Sequence, residues 1–386
     1  MRLLHTSDWH LGRAMAGHSR REEQIEFLDW FVSLAAELSV DAVVIAGDIY
    51  DRTVPSEDSV RMLNDALIRL RRSCPVVLIP GNHDQAVRLG FAAELLATAD
   101  VHIRYLREQS SVPVEVTGSD GVTVLIYGLP YLDPDLERTA LGAARSHEDV
   151  LSKAMDPIRA HAAESGHRSV VVAHAFITGG QGSDSERDVR VGGVGDAPAT
   201  VFQGVDYVAL GHLHGAQTIP TGRGGPVVEY SGSPLAYSFS EQSHVKSVTL
   251  VDIPSSGTIE IERIATPVRY PLATLTGTLE DLVSSPAHAL HVKSWVRIRY
   301  TDERAIANAL GLVTARFQRV AEFAHTPVRE GLVLDGPDPL SPERPDDPLE
   351  VLEAFLSYAT GSAVRPEEAD VLREVYEAVR DGGATT

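Results

Sequence analysis

Sulfur and positive charge are both scarce in this chain. Its 386 residues include one cysteine, Cys74, which rules out an internal disulfide; lying just before an apolar run, it is expected to be a packed thiol. Lysine and arginine number 34 against 54 aspartates and glutamates, a formal charge of −20 that argues against a generally basic, phosphate-gripping surface. A nucleic-acid function would need positive charge from metal ions or a basic partner. Long apolar runs are missing too. Nothing approaches the roughly 18 residues of a membrane span, and no signal-peptide pattern precedes the first apolar segment, so a cytoplasmic protein is expected. A composition 43% hydrophobic and 23% charged is that of a globular chain, and its length calls for two or three domains.

Short apolar runs that end in polar residues are plentiful. Val76-Val77-Leu78-Ile79 stops at Pro80-Gly81 and delivers Asn82, His83 and Asp84. Arg2-Leu3-Leu4-His5-Thr6 runs into Ser7, Asp8, Trp9 and His10, and Ala42-Val43-Val44-Ile45-Ala46 runs into Gly47, Asp48, Ile49, Tyr50 and Asp51. Val170-Val171-Val172-Ala173 meets His174, and Tyr207-Val208-Ala209-Leu210 meets Gly211-His212-Leu213-His214. Each reads as a buried strand, and ligands of open α/β sheets sit beyond strand C-termini, so five polar tips imply one convergent pocket.

Helical spacing of apolar residues predicts helices over about 21–38, 57–72, 90–97 and 150–163. The first two are crossovers of right-handed βαβ units. A polar, glycine-rich stretch at 178–187 reads as a mobile surface loop beside the site. Val227 to Pro234 and Ser247 to Asp252 read as strands of a second sheet. The domains expected are a catalytic unit at 1–265, an α+β unit at 266–335 with a strand at 295–300 and a helix near 303–319, a Pro-rich linker at 336–348, and two amphipathic helices at 349–386 that need a surface to bury against.

Mixed imidazole, carboxylate and amide donors suit Mn²⁺, Fe²⁺ or Zn²⁺ better than Mg²⁺ or Ca²⁺, and their number exceeds what one ion needs. Two ions sharing one carboxylate recur in enzymes that displace oxygen at phosphorus. A lone Asp-x-His occurs often by chance, and a single buried histidine is more often a packed residue than a ligand. Five such tips in one chain are another matter.

Ser7-Asp8-Trp9-His10-Leu11-Gly12, Gly47-Asp48-Ile49-Tyr50-Asp51, Gly81-Asn82-His83-Asp84, His174 and Gly211-His212-Leu213-His214 resemble the signature blocks of calcineurin-like metallophosphoesterases. Together with Tyr230-Ser231-Gly232-Ser233-Pro234-Leu235, they are similar to the SbcD family, nuclease subunits of bacterial SbcCD complexes and counterparts of the double-strand-break repair nuclease. The resemblance spans about residues 1–255. It implies an α/β fold, a sandwich of two mixed sheets flanked by helices, with a small α+β capping domain and C-terminal helices. Asp8, His10 and His214 would hold one ion, Asn82, His174 and His212 the other, and Asp48 would bridge them. His83 would be the catalytic imidazole, with Asp84 as its orienting partner. Mn²⁺ is the first choice of metal, with Mg²⁺, Fe²⁺ or Zn²⁺ as the others.

The activity implied is a 3′-to-5′ exonuclease on duplex DNA ends and an endonuclease on single strands or hairpins, in repair and recombination. The partner implied is SbcC, a coiled-coil ATPase docked through residues 349–386, with a homodimer of this chain inside a heterotetramer. A small-molecule (cyclic-nucleotide) phosphodiesterase and a non-catalytic DNA-end-binding scaffold are the alternatives. Asp51 is open between supporting the ligands and a surface role, His5 between supporting the ligands and packing, and Arg13, Arg52, Arg88, Arg187 and Arg190 read as solvated surface charge.

Overall fold

A computed structural model describes residues 1–186, 196–327, 348–360 and 364–382. The chain opens with β1 (Arg2–Thr6), a hairpin of β2 (Ala14–Met15) and β3 (His18–Ser19), helix α1 (Arg21–Glu37) and β4 (Ala42–Ala46). Helix α2 (Glu57–Leu70) begins where the Ser56 side chain accepts the Ser59 N–H and two acidic residues fill the first turn. Then come β5 (Val76–Ile79), α3 (Ala86–Leu89), α4 (Ala93–Ala97) and β6 (Val101–Ile103). The helix expected over 90–97 is the shorter α4, which starts only at Ala93 because Ala92 takes a left-handed φ of 61°, and α3 precedes it.

The chain continues through β7 (Val114–Thr117), β8 (Thr123–Leu129), α5 (Pro134–Leu141), α6 (His147–Ser165), β9 (Arg168–His174) and β10 (Tyr207–Gly211). The first unit closes with β11 (Gln217–Ile219), β12 (Val227–Tyr230), β13 (Ser247–Asp252) and β14 (Glu260–Ala265).

These strands form two six-stranded mixed sheets, ordered β14-β13-β1-β4-β5-β6 and β11-β12-β10-β9-β8-β7. In the first, β1, β4, β5 and β6 run parallel, as do β8, β9, β10 and β12 in the second. The Ser247–Asp252 strand, expected in the second sheet, instead pairs antiparallel with β1 in the first. Apolar sequence alone could not choose between two sheets that share one core.

Period-two alternation explains the layering. Leu4, Val43, Ile45, Val76 and Leu78 point to the helix side, where Phe27, Phe31, Leu63 and Leu67 cover them. Their neighbours Leu3, Val44, Val77 and Ile79 point the other way and meet Val124, Ile126, Val170, Val172 and Tyr207 across the sheet interface. Val171, Ala173, Val208 and Leu210 face Met155 and Ile158 of α6. Strands buried on both faces need continuous apolar runs, which is why the polar residues collect at their tips.

The second unit has a parallel sheet of β15 (Leu272–Gly277), β16 (Trp295–Tyr300) and β17 (Arg319–His325), with α7 (Leu279–Ser284) and α8 (Ala309–Arg316) packed on Leu275, Val296 and Ile298. Helix α8 is shorter than the 303–319 expected, because Asn308 enters it with a left-handed φ of 58°. Trp295 packs with Met15 and Phe239 to join the two units. The Pro-rich linker falls outside the described residues except for Pro348, where α9 (Pro348–Thr360) begins, and α10 (Pro366–Gly382) follows. Among the described residues, no helix is long and apolar enough to cross a membrane.

Candidate metal centre

Five parallel strands from the two sheets point their C-terminal ends at the same edge. There the backbone is bent hard: Asp8, His10, Asp48 and His212 all have positive φ, at 54°, 44°, 50° and 103°. Non-glycine residues rarely occupy that region, and such conformations cost of order 1–3 kcal/mol each unless the surroundings impose them. The surroundings here are close. A Cβ on Gly81 would lie 2.2 Å from Asp48 Oδ1, and one on Gly211 would lie 1.9 Å from the Ala46 carbonyl oxygen. Glycine at both positions lets β5 and β10 approach β4 closely enough for their side chains to meet over Asp48.

Asp8, His10, Asp48, His83, His174, His212 and His214 are all buried, while Asn82 and Asp84 are half-buried. Donor atoms of Asp8, His10 and His214 lie within 4.8 Å of one another, and so do those of Asp8, Asp48 and His174 and of His10, Asp48 and His83. His10 Nε2 faces His214 Nε2 at 3.1 Å. Asn82 Oδ1 is 2.9 Å from His174 Nε2 and 3.2 Å from His212 Nδ1. Asp48 Oδ2 stands between the groups, 3.6 Å from His10 Nε2 and 3.5 Å from His174 Nε2. Adjacent donors on one octahedral ion with bonds of about 2.1 Å sit about 3 Å apart, so both spacings fit a cation.

The charges fit one as well. Burial, followed by the charge of Asp48, raises the Asp8 carboxyl well above its usual range. Burial, then neighbouring imidazoles, holds His10 and His212 well below theirs, and burial also lowers His174. Neutral imidazoles keep the lone pairs a metal needs, and a divalent cation would relieve the repulsion between the carboxylates.

Two expectations about contacts change. Asp84 does not touch the ring of His83. Its oxygens accept the backbone N–H groups of Gly81 and Ile49 at 3.0 Å and Tyr50 at 2.9 Å, lashing the β4 and β5 tips together. Burial first, then Asp48, pushes its carboxyl up to about 7. His83 Nδ1 instead donates to the Asp51 carbonyl at 2.8 Å, and the His83 N–H donates to Asp48 Oδ1 at 2.9 Å. Asp51 therefore supports the site through its backbone. The second change concerns the end of the glycine-rich loop: Thr178, Gly179, Gln181, Gly182 and Asp184 are exposed, but Ser185 is buried against His214 Nδ1, and Glu186 Oε1 accepts the His214 N–H at 2.7 Å.

Arg13 is not solvated either. Its Nη2 donates to the Ser185 carbonyl at 2.8 Å, and its guanidinium lies 5.1 Å from the centre of the Tyr237 ring. Arg52 and Arg88 stay exposed, and Arg187 and Arg190 lie outside the described residues. His5 is packing: its ring lies against the Tyr207 hydroxyl at 2.9 Å and the Leu210 carbonyl at 3.2 Å.

Residues that sequence reasoning missed are Ser185, Tyr237, Glu241 and Lys246. Tyr237 packs edge-on to His10 and His214, with ring centres 5.4 and 5.8 Å away. Glu241 is fully buried 3.6 Å from His214 Nδ1 and paired with Lys246. Burial opposes its charge, but the contacts with His214 and Lys246 prevail and hold its carboxyl well below the usual range. None sits at a strand tip, so no run pointed to them.

A two-sheet sandwich whose strand tips gather buried imidazoles, carboxylates and an amide around one shared aspartate has the build of a metal-dependent hydrolase. The profile of the calcineurin-like phosphoesterase family matches residues 1–216, more than half of the chain, and the chain belongs to that family. Its chemistry is metal-dependent hydrolysis of phosphoesters, and the groups described above could hold the divalent ions. Similar solved structures include TT1561 of Thermus thermophilus (16% identity, 68% of this chain and 98% of that one, TM-score 0.39). A dimetal phosphatase from Danio rerio has 14% identity over 69% of this chain and 99% of its own, with a TM-score of 0.41. GAP50, the anchor in the inner membrane complex of Plasmodium, has 14% identity over 85% and 97%, also at 0.41. Likenesses of that strength say nothing about ligand or substrate.

Proposed function

We propose that this chain is an SbcD-type subunit of an ATP-dependent DNA nuclease, hydrolysing phosphodiesters at duplex ends in the 3′-to-5′ direction and within single strands or hairpins. The observation that carries the hydrolytic part is Asp48, whose carboxylate lies within 3.6 Å of an imidazole from each ligand group. Asp8, His10 and His214 would hold one ion, preferably Mn²⁺, Asn82, His174 and His212 would hold the other, and Asp48 would serve both. When bound, such ions supply Lewis acidity and a strong nucleophile from water at neutral pH.

His83 supplies the proton. Its Nδ1–H is tied to the Asp51 carbonyl, which leaves Nε2 facing inward, 3.9 Å from Asp48 Oδ2. Once protonated, Nε2–H donates to the leaving oxygen. The half-buried Asn82 amide, oxygen turned to the histidines, keeps its N–H₂ for a phosphate oxygen.

The β15–β17 unit, joined to the core beside the site, is the cap that directs DNA. Helices α9 and α10 dock on the base of the SbcC coiled coil: in α10, Val371 and Val375 of the apolar stripe remain 58% and 55% exposed. A second copy of this chain covers Val87 of α3, Phe91 of the turn that follows and Leu95 of α4, which are 64%, 82% and 70% exposed. The coiled-coil partner supplies the DNA grip that a charge of −20 does not.

The test is cleavage of a hairpin-ended duplex with Mn²⁺, with and without the partner and ATP. Wild type should cut with partner and ATP, and His83→Ala should lower the rate by about 10²–10⁴-fold without losing metal. A chain ending at residue 327 should keep hydrolysis of a small phosphodiester but lose ATP-stimulated cutting. Full activity of that truncated chain on a cyclic nucleotide, with no DNA cleavage by the intact one, would make it a small-molecule phosphodiesterase.

A further inference from the structure

The ring of His214 is braced from behind by side chains that lie far away in sequence. Ser185 Oγ touches both His214 Nδ1 and Glu241 Oε1. With its O–H given to the carboxylate, Ser185 accepts the His214 Nδ1–H, and Nε2 is left unprotonated where it faces His10 at 3.1 Å. Glu241 is fully buried, Lys246 is 4% exposed, and Lys246 Nζ donates to Glu241, to the His214 carbonyl at 2.8 Å and to Ser233 Oγ at 3.0 Å. The Tyr237 N–H adds a bond to Glu241 Oε1 at 3.1 Å.

A buried ion pair loses hydration that its own attraction scarcely repays, so it is a poor device for stability alone. This one, besides its bonds with Ser233, Tyr237 and Ser238, grips His214 at two points, the ring through Ser185 and the carbonyl through Lys246. The next residue, Gln242, accepts the Thr274 N–H at 3.1 Å and its hydroxyl at 2.9 Å, so the same turn also fastens the cap sheet.

We propose that Glu241 is a positioning residue for His214: through Ser185 it fixes the tautomer and orientation of the imidazole, while Lys246 balances its charge. This rests on the reading of His214 as a metal ligand. Carboxylates placed behind metal-bound histidines orient the ring and raise its basicity, and their removal weakens metal binding by about 10–100-fold.

The test uses the full chain stripped of metal, with melting followed by circular dichroism and Mn²⁺ binding by titration calorimetry. Glu241→Gln alone leaves Lys246 unpaired, so the working variant is Glu241→Gln with Lys246→Met. It should melt near wild type yet bind one of two Mn²⁺ ions about 10–100-fold more weakly, and Ser185→Ala should move the same ion in the same direction. Ser185→Ala leaves the ion pair intact and carries the test alone if the double variant does not fold. His214→Ala should lose that ion. Wild-type binding of both ions by the folded Glu241 and Ser185 variants, with an ion lost in His214→Ala, would overturn the proposal and leave the proposed function standing. Two ions bound normally by His214→Ala would remove His214 as a ligand, and both readings with it.

Discussion

The two proposed ligand groups that meet at Asp48 are held by different means. Asn82, His174 and His212 rest on the sheets: His174 Nδ1 donates to the Ala46 carbonyl at 2.9 Å, and glycines let three strand tips crowd together. In the other group, Asp8 rests on the Ser7 hydroxyl and the His212 backbone N–H, whereas His214 rests on side chains brought in from loops, Ser185 and Glu241. One half of the site is therefore complete once the sandwich has formed, whereas the other also needs loops 183–186 and 237–246 to close. Loop segments open more readily than sheet cores, so the second half should be the more easily disturbed.

The largest effect should come from destroying what the halves share. Asp48→Asn should lower phosphodiester hydrolysis at least about 10³-fold and abolish binding of both ions, read by metal analysis after dialysis. Loss of only one ion would mean that Asp48 belongs to a single half. Next in size is the backbone-held half. Gly81→Ala puts a methyl group 2.2 Å from Asp48 Oδ1 and should destabilise the fold by about 1–3 kcal/mol in thermal melting, with activity falling about 100-fold.

In the loop-held half, Ser7→Ala removes the hydroxyl that donates to Asp8 and also touches Ser231 Oγ at 3.0 Å. It should cost about tenfold in Mn²⁺ affinity with a nearly unchanged melting temperature. A melting loss as large as that of Gly81→Ala would erase the distinction between the halves.

The smallest effect lies outside both. Burial, then the charge of Asp41, pushes the Cys74 thiol up to about 12. At pH 8 only about one thiol in 10⁴ is then ionised, so iodoacetamide should label the native chain negligibly and the urea-unfolded chain readily. Fast native labelling would show that the core around Cys74 opens.

The same contrast explains what could be read from sequence. Val43-Val44-Ile45 and Val76-Val77-Leu78 announce strands buried on both faces, and such strands can carry polar residues only where they end, so Asp8, His10, Asp48, Asn82, His83, His174, His212 and His214 were visible at once. Their supports were not. Nothing in the pattern tells whether Asp84 meets a side chain or three backbone N–H groups, because both uses put a carboxylate in the same place. Ser185, Glu241 and Lys246 lie in segments without period, and their meeting at His214 is a product of tertiary packing. The strand at Ser247–Asp252 was visible as a strand but not as the antiparallel neighbour of β1, since pairing is decided by a chain reversal that carries no apolar signature.

The most direct measurement is an anomalous difference map from crystals grown with Mn²⁺. Two peaks are predicted, one against Asp8, His10 and His214 and one against Asn82, His174 and His212, with Asp48 touching both. A single peak, or a pair that leaves Asp48 untouched, would contradict the shared-carboxylate centre.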